Sequence, residues 1–126
     1  MEFKWLNESS VKQTEGRIEI LAPARTDFGT HAAVSVVTKG DSDDANGCNL
    51  EGNTAWLQMC RVGNNFAFHY SVDGVNFYMM RYFHLPALPV IKVGLLAQAP
   101  TGDGGIRVYE NLSIEKKTVK NIRAGK

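Results

Sequence analysis

Carboxylates, histidines and aromatic rings are the groups in this sequence with chemistry to offer. A retaining glycosidase needs two carboxyl groups about 5 Å apart, which on a β-strand means Asp or Glu at i and i+2 facing one cleft. The acidic residues here are scattered; only Asp41, Asp43 and Asp44 cluster, in a stretch that reads as a polar loop. Ser42–Asn53 half-matches a calcium loop, but Ser42 stands at position one and Asn53 at position twelve, where a bidentate glutamate belongs. A polar turn is the reading adopted. His31, His69 and His84 lack metal-ligand spacing, no serine sits in a Gly-x-Ser-x-Gly context, and Gly102–Gly105 lacks the lysine of a phosphate loop. The sequence therefore assigns no catalytic residue, metal or cofactor.

Aromatic side chains are the best binding currency left. Trp56, Tyr78 and Tyr82 alternate within strand-like runs, and sugar rings stack on such side chains because both present flat apolar faces. Core packing is the competing role for each ring. In Trp56–Val62, alternation turns Leu57 and Met59 inward and leaves Trp56, Gln58 and Cys60 on the other side. By the same logic His69, Ser71 and Arg81 join that polar face, with His69 solvated, while Phe66, Phe68 and Tyr70 enter the core. A sugar on this face would stack on Trp56 and accept hydrogen bonds from Gln58 and Arg81.

The elements that must position these residues are all strands. Residues 2–6, Gly16–Ala22, Val34–Thr38, Trp56–Val62, Asn65–Ser71, Asn76–Tyr82, Val90–Ala97 and Ile106–Glu115 carry period-two or β-branched patterns. Gly63-Asn64 and Asp73-Gly74 supply hairpin turns, the second predicted as type I′ with both residues at positive φ. No stretch sustains a helical period. Short strands joined by Gly/Asp turns predict an all-β sandwich or jelly roll.

Composition sets the outer limits. With 126 residues, 44% hydrophobic and 21% charged, the chain can bury one ordinary core. Collagen-like, coiled-coil and wholly disordered classes are excluded. No apolar run approaches the roughly 18 residues of a membrane helix, and the opening MEFKWLNESS lacks a signal-peptide stretch. The expectation is a cytoplasmic protein with reduced thiols, Cys60 packing in a strand and Cys48 more reactive in a polar loop. Fourteen basic residues against thirteen acidic ones give no electrostatic case for nucleic acid. The charge is uneven, however: residues 116–126 hold five Lys/Arg and no acid. This basic tail reads as a solvated terminus, with contact to an anionic surface as the alternative.

Several segments, taken in order, resemble one family. Phe3-Lys4-Trp5-Leu6-Asn7-Glu8, Ile18-Glu19-Ile20 and Thr26-Asp27-Phe28 resemble the opening of the concanavalin A-like domain named for the regulation-of-enolase protein. That family is related to the sandwich appended to some β-xylosidases. Val34-Ser35-Val36-Val37-Thr38 with Ser42-Asp43 is similar to its "S-V-V-T…S-D" strand and loop. Trp56-Leu57, Arg61, Tyr70-Ser71, Asp73-Gly74, Phe77 and Arg81 resemble its central hairpin, and Val93-Gly94 with Ala99-Pro100 its later strand and turn. Between Thr26-Asp27-Phe28 and the valine run only Gly29–Ala33 intervene, where the family has several strands, and Gln58 stands where it tends to have arginine.

The resemblance implies a single concanavalin A-like β-sandwich over 1–126, shortened in the middle, with the basic tail 116–126. The leading expectation is a non-catalytic binding or regulatory module of the cytosol, taking carbohydrate on a concave sheet; the residues that alternation turns to the polar face, Trp56, Gln58, His69, Ser71 and Arg81, would line that site. Two alternatives stay open: a glycoside-active enzyme, by kinship alone, and a protein-interaction module without a small ligand. Loss of the middle strands would also leave unpaired sheet edges and predicts a homodimer through them.

Overall fold

The computed structural model describes residues 2–4, 15–21, 31–39, 41–52, 54–86, 91, 93–96, 106 and 108–126. Eight strands are described: β1 (Glu2–Lys4), β2 (Glu15–Leu21), β3 (His31–Lys39), β4 (Asp41–Leu50), β5 (Trp56–Val62), β6 (Asn65–Ser71), β7 (Tyr78–His84) and β8 (Gly94–Leu96). They form two antiparallel sheets, ordered β4-β3-β2-β1-β8 and β5-β6-β7. The protein is all-β, with no helix among the described residues.

The sheets meet over a core of Val37 from β3 with Phe66, Phe68, Phe83 and Leu85, flanked by Leu57, Met59, Met80 and Ile91. Phe83 stacks on Phe66 and tilts against Phe68, with centroid separations of 5.4 and 5.0 Å. Burying each such ring contributes on the order of 2 kcal/mol. The exposed Asp43 carboxylate of β4 accepts a 2.7 Å hydrogen bond from Arg81 of β7, tying the rims of the two sheets.

β5 and β6 keep the bounds their alternation predicts, and other expectations need correction. Asp41–Leu50 is not a loop but an edge strand paired with β3 at both ends, from Lys39 to His31, with a register shift at Ala32/Val34. An edge strand tolerates polar side chains, and charge there discourages pairing with another chain, so polarity alone misled. A strand paired along its length does not wrap round an ion as a calcium loop does, and no cluster of metal-ligating residues occurs among the described residues. Cys48 accordingly lies in β4, half-buried. Residues 108–115 form no strand, although their alternation predicts one. Ala22, residues 5–6 and 97–105 lie outside the described residues.

Both hairpin turns depart from type I′. At Gly63-Asn64 only the glycine has positive φ, at 61°, the pattern of a type II′ turn. At Asp73-Gly74 only Gly74 does, at 72°, and six residues separate Ser71 from Tyr78. The Asp73 side chain explains the longer loop: its carboxylate accepts hydrogen bonds from the Val75 and Asn76 amides at 2.8 and 2.7 Å and from the Asn76 side chain at 2.7 Å. Those bonds, with one from Ser71, hold the carboxyl well below the usual range. They replace the ladder bonds a tight hairpin would have made.

Candidate functional site

The three-stranded sheet has two unlike faces, and its register assigns them. Leu57 opposes Tyr70, Met59 opposes Phe68, and Phe66 opposes Phe83; this face meets the first sheet. Trp56 opposes Ser71, Gln58 opposes His69, and Cys60 and Tyr82 both oppose Ala67; these residues share the other face.

Four of the five predicted binding residues, Trp56, Gln58, His69 and Ser71, share that second face. Arg81 does not. A bulge between Phe68 and His69 pairs Phe68 with Arg81 and His69 with Met79, so Met80 is the extra residue on β7. The slip turns Arg81 to the core face, where it reaches Asp43, since one residue of shift inverts every later side chain.

Nor is this face solvated as the alternation suggested. Ala67, His69 and Ser71 are each 0% exposed. A turn over Ile122–Gly125 lies on the sheet, closed by paired hydrogen bonds between Asn121 and Lys126. The Gln58 side-chain amide donates to the Gly125 carbonyl at 2.6 Å and to the Cys60 sulfur at 3.1 Å. His69 Nε2 lies 3.0 Å from the Arg123 carbonyl, so that nitrogen carries the proton and donates. The Arg123 guanidinium sits 4.6 Å from the centre of the Tyr82 ring. The basic tail is thus not a solvated terminus throughout: its last six residues dock.

Gly125 suits this seat for two reasons. Its φ is +71°, and a Cβ there would stand 3.0 Å from Gln58 Nε2 and 3.3 Å from His69 Cε1. Only the absent side chain lets the backbone approach so closely. Sequence reasoning missed the contact because nothing in a Lys/Arg-rich segment signals where it will lie.

His69 is the most perturbed group on the face. Burial pushes its pKa down, and the hydrogen bond to the Arg123 carbonyl, with a smaller influence of the Ile122 backbone, only partly opposes this. Its Nδ1 is buried with no partner. A proton there would be an unsatisfied buried donor, and such groups cost about 1–3 kcal/mol or more when charged.

The docked turn is weakly held. Each neutral hydrogen bond contributes about 1 kcal/mol net and the cation–π contact about 0.5–2, while ordering one residue costs about 1–2 kcal/mol. Beside it opens a pocket of about 310 Å³, bounded by Gln58, the 75–78 segment and Ala124–Lys126. Trp56, 44% exposed, lies at the neighbouring edge against Gly74. Ser71 is not free to bind: its hydroxyl donates to Asp73 at 2.8 Å and accepts from the Gly74 amide at 2.9 Å.

The fold and this face define an all-β protein with a polar, tail-covered sheet and an open pocket beside the tail. The chain belongs to the family DUF1349, described as "Protein of unknown function", whose model matches residues 28–117. No curated protein and no solved structure matches it. No helix among the described residues is long and apolar enough to cross a membrane.

Proposed function

We propose that this chain is a non-catalytic, cytoplasmic binding module of concanavalin A-like, jelly-roll kind that takes carbohydrate on the β5–β6–β7 face. The observation that carries the reading is the 310 Å³ pocket between Gln58, the 75–78 segment and the docked turn; the exposed Trp56 indole does not line it but packs against Gly74, next to the pocket's Val75. Its size is at the small end of ligand sites, enough for one sugar unit. The Gln58 and Asn76 side-chain nitrogens already donate within the protein, so these residues offer their amide oxygens as acceptors for sugar hydroxyls, and Trp56 offers a flat apolar face. Arg81, on the other face, is no part of this site.

The test is an NMR titration with xylo-, gluco- and manno-oligosaccharides. Shifts are expected at Gln58, Asn76 and the Trp56 indole, and Trp56→Ala should weaken binding about tenfold, the loss of one stacking contact of roughly 1.4 kcal/mol. No shift at millimolar sugar would overturn the carbohydrate reading. A protein-interaction module is the second reading, favoured by the exposed apolar side chains Val72, Val75, Ile106, Val108, Leu112 and Ile114.

A further inference from the structure

We propose that the 121–126 turn is a displaceable occupant of this face, pinned by His69. Docked, it confines the ligand to the shallow pocket; released by protonation of His69, it opens a groove floored by Gln58, Cys60, His69 and Tyr82. The groove would take a longer polyhydroxylated ligand, a step that rests on the carbohydrate reading above.

The turn's hold is suited to release. Its contacts with the sheet include two side-chain hydrogen bonds to carbonyls, from Gln58 and His69, and one ring contact with Arg123. The preceding residues 108–118 form no strand or helix, and all but the half-buried Tyr109 are exposed, so the turn can leave without breaking a ladder. The groove beneath is already built, because Gln58, Cys60, Ala67, His69 and Tyr82 are fixed by the β5–β6–β7 register.

The direction of the pH effect follows from linkage. In the docked state His69 is neutral, with one nitrogen donating to Arg123 and the other buried without a partner. Burial lowers its proton affinity there, whereas a released turn lets it return to its ordinary value of about 6.5. The released state therefore binds protons more tightly. Docking is fully favoured above that pH and is lost as the pH falls. Among the described residues no charged partner acts on His69. β5 brings Gln58 and the Cys60 thiol, β7 brings Met79 and the Tyr82 phenol, and the turn brings the Arg123 cation. On its own strand, Ser71 carries the hydrogen bond to the Asp73 carboxylate.

The experiment follows backbone amides of the full chain by ¹H–¹⁵N NMR from pH 8 to pH 5. Ala124, Gly125 and Lys126 should move to free-peptide positions as the pH falls below about 6.5, while β5–β7 amides stay in place. His69→Gln, which keeps a donor but cannot titrate, should hold the turn throughout. Turn amides that never move, that move equally in His69→Gln, or that move only together with the strands overturn the proposal. A second arm uses Gly125→Val, whose side chain strikes Gln58 and His69 and so strains the turn off the sheet, while every residue of the groove floor is kept. If nine molecules in ten are docked, this variant binds the oligosaccharides about tenfold tighter at pH 7.5. Equal affinity overturns the masking. If the turn responds to pH as expected and no oligosaccharide binds either form, the pinned turn stands and the carbohydrate reading fails.

Discussion

Adding a methyl group at Gly74 tests how the 72–77 loop and Trp56 hold each other. Gly74 has φ +72°, and an added Cβ would lie 2.9 Å from Trp56 Cε2 and 3.3 Å from two further indole atoms. Two costs combine in Gly74→Ala. The left-handed backbone costs an L-residue about 1–2 kcal/mol, and forcing a methyl into the ring adds about 1–3. The indole is 44% exposed and can swing outward, which places the second cost near its lower end. A total of about 2–3 kcal/mol follows. In a Trp56→Ala background the overlap vanishes and only the backbone part of about 1–2 kcal/mol remains. A double-mutant cycle by urea denaturation should thus show roughly 1 kcal/mol of coupling between the two positions. Trp56 fluorescence should report the displaced ring, with Trp5→Phe as the background to remove the other indole. Equal costs in both backgrounds would refute the contact, and no cost in either would refute the turn.

Other perturbations reach the rest of the fold. Phe68→Ala, at a position with no exposure and against Phe83, should cost about 3–5 kcal/mol by chemical denaturation; under 1 kcal/mol would place Phe68 outside the core. Ser35→Ala should leave stability unchanged or raise it by up to about 1 kcal/mol, because the buried Ser35 hydroxyl has no partner; a loss greater than that would reveal one. A hydrogen bond with Cys48, burial and the nearby Tyr78 push the Tyr70 phenol up to about 12, and a raised phenol favours the neutral form. The stabilisation is complete below pH 10 and lost as pH rises through 12, which ultraviolet titration should show as one late tyrosine that Cys48→Ala brings back. Association through sheet edges should use β5 rather than the acid-bearing β4, so light scattering should find a dimer that Val62→Lys disperses; a monomer in both forms refutes edge pairing.

How far these features are readable in the residues varies with how local their causes are. β5 and β6 are legible to the residue because alternation, a Gly-Asn turn and flanking glycine coincide. β4 is not, because its pairing rests on the β-branched edge of β3 rather than on its own side chains. Four of the five predicted binding residues share a face because period two is a local property of the strand. Arg81 escapes that logic through a one-residue bulge, and bulges arise from how three strands twist together. His69 is the sharpest case. Its orientation away from the Phe66 and Phe68 rings follows from alternation, but its burial depends on a turn more than fifty residues away.

That distant turn also explains why the second face is polar without being wet. A three-stranded antiparallel sheet needs only one covered face and can leave the other to water. Here the second face carries Ala67 and Cys60, both small, beside Gln58 and His69. Small residues leave a shallow trough, and the two nitrogen donors stand at positions from which each reaches one carbonyl of the turn. Backbone carbonyls are common to every peptide, so recognition of this kind sets the path of the segment rather than its sequence. Identity enters at Gly125, where a side chain would strike Gln58 and His69, and at Arg123, whose cation needs the Tyr82 ring. A sheet face that grips backbone through two side chains and excludes bulk at one point is built to hold its cover loosely and in one register.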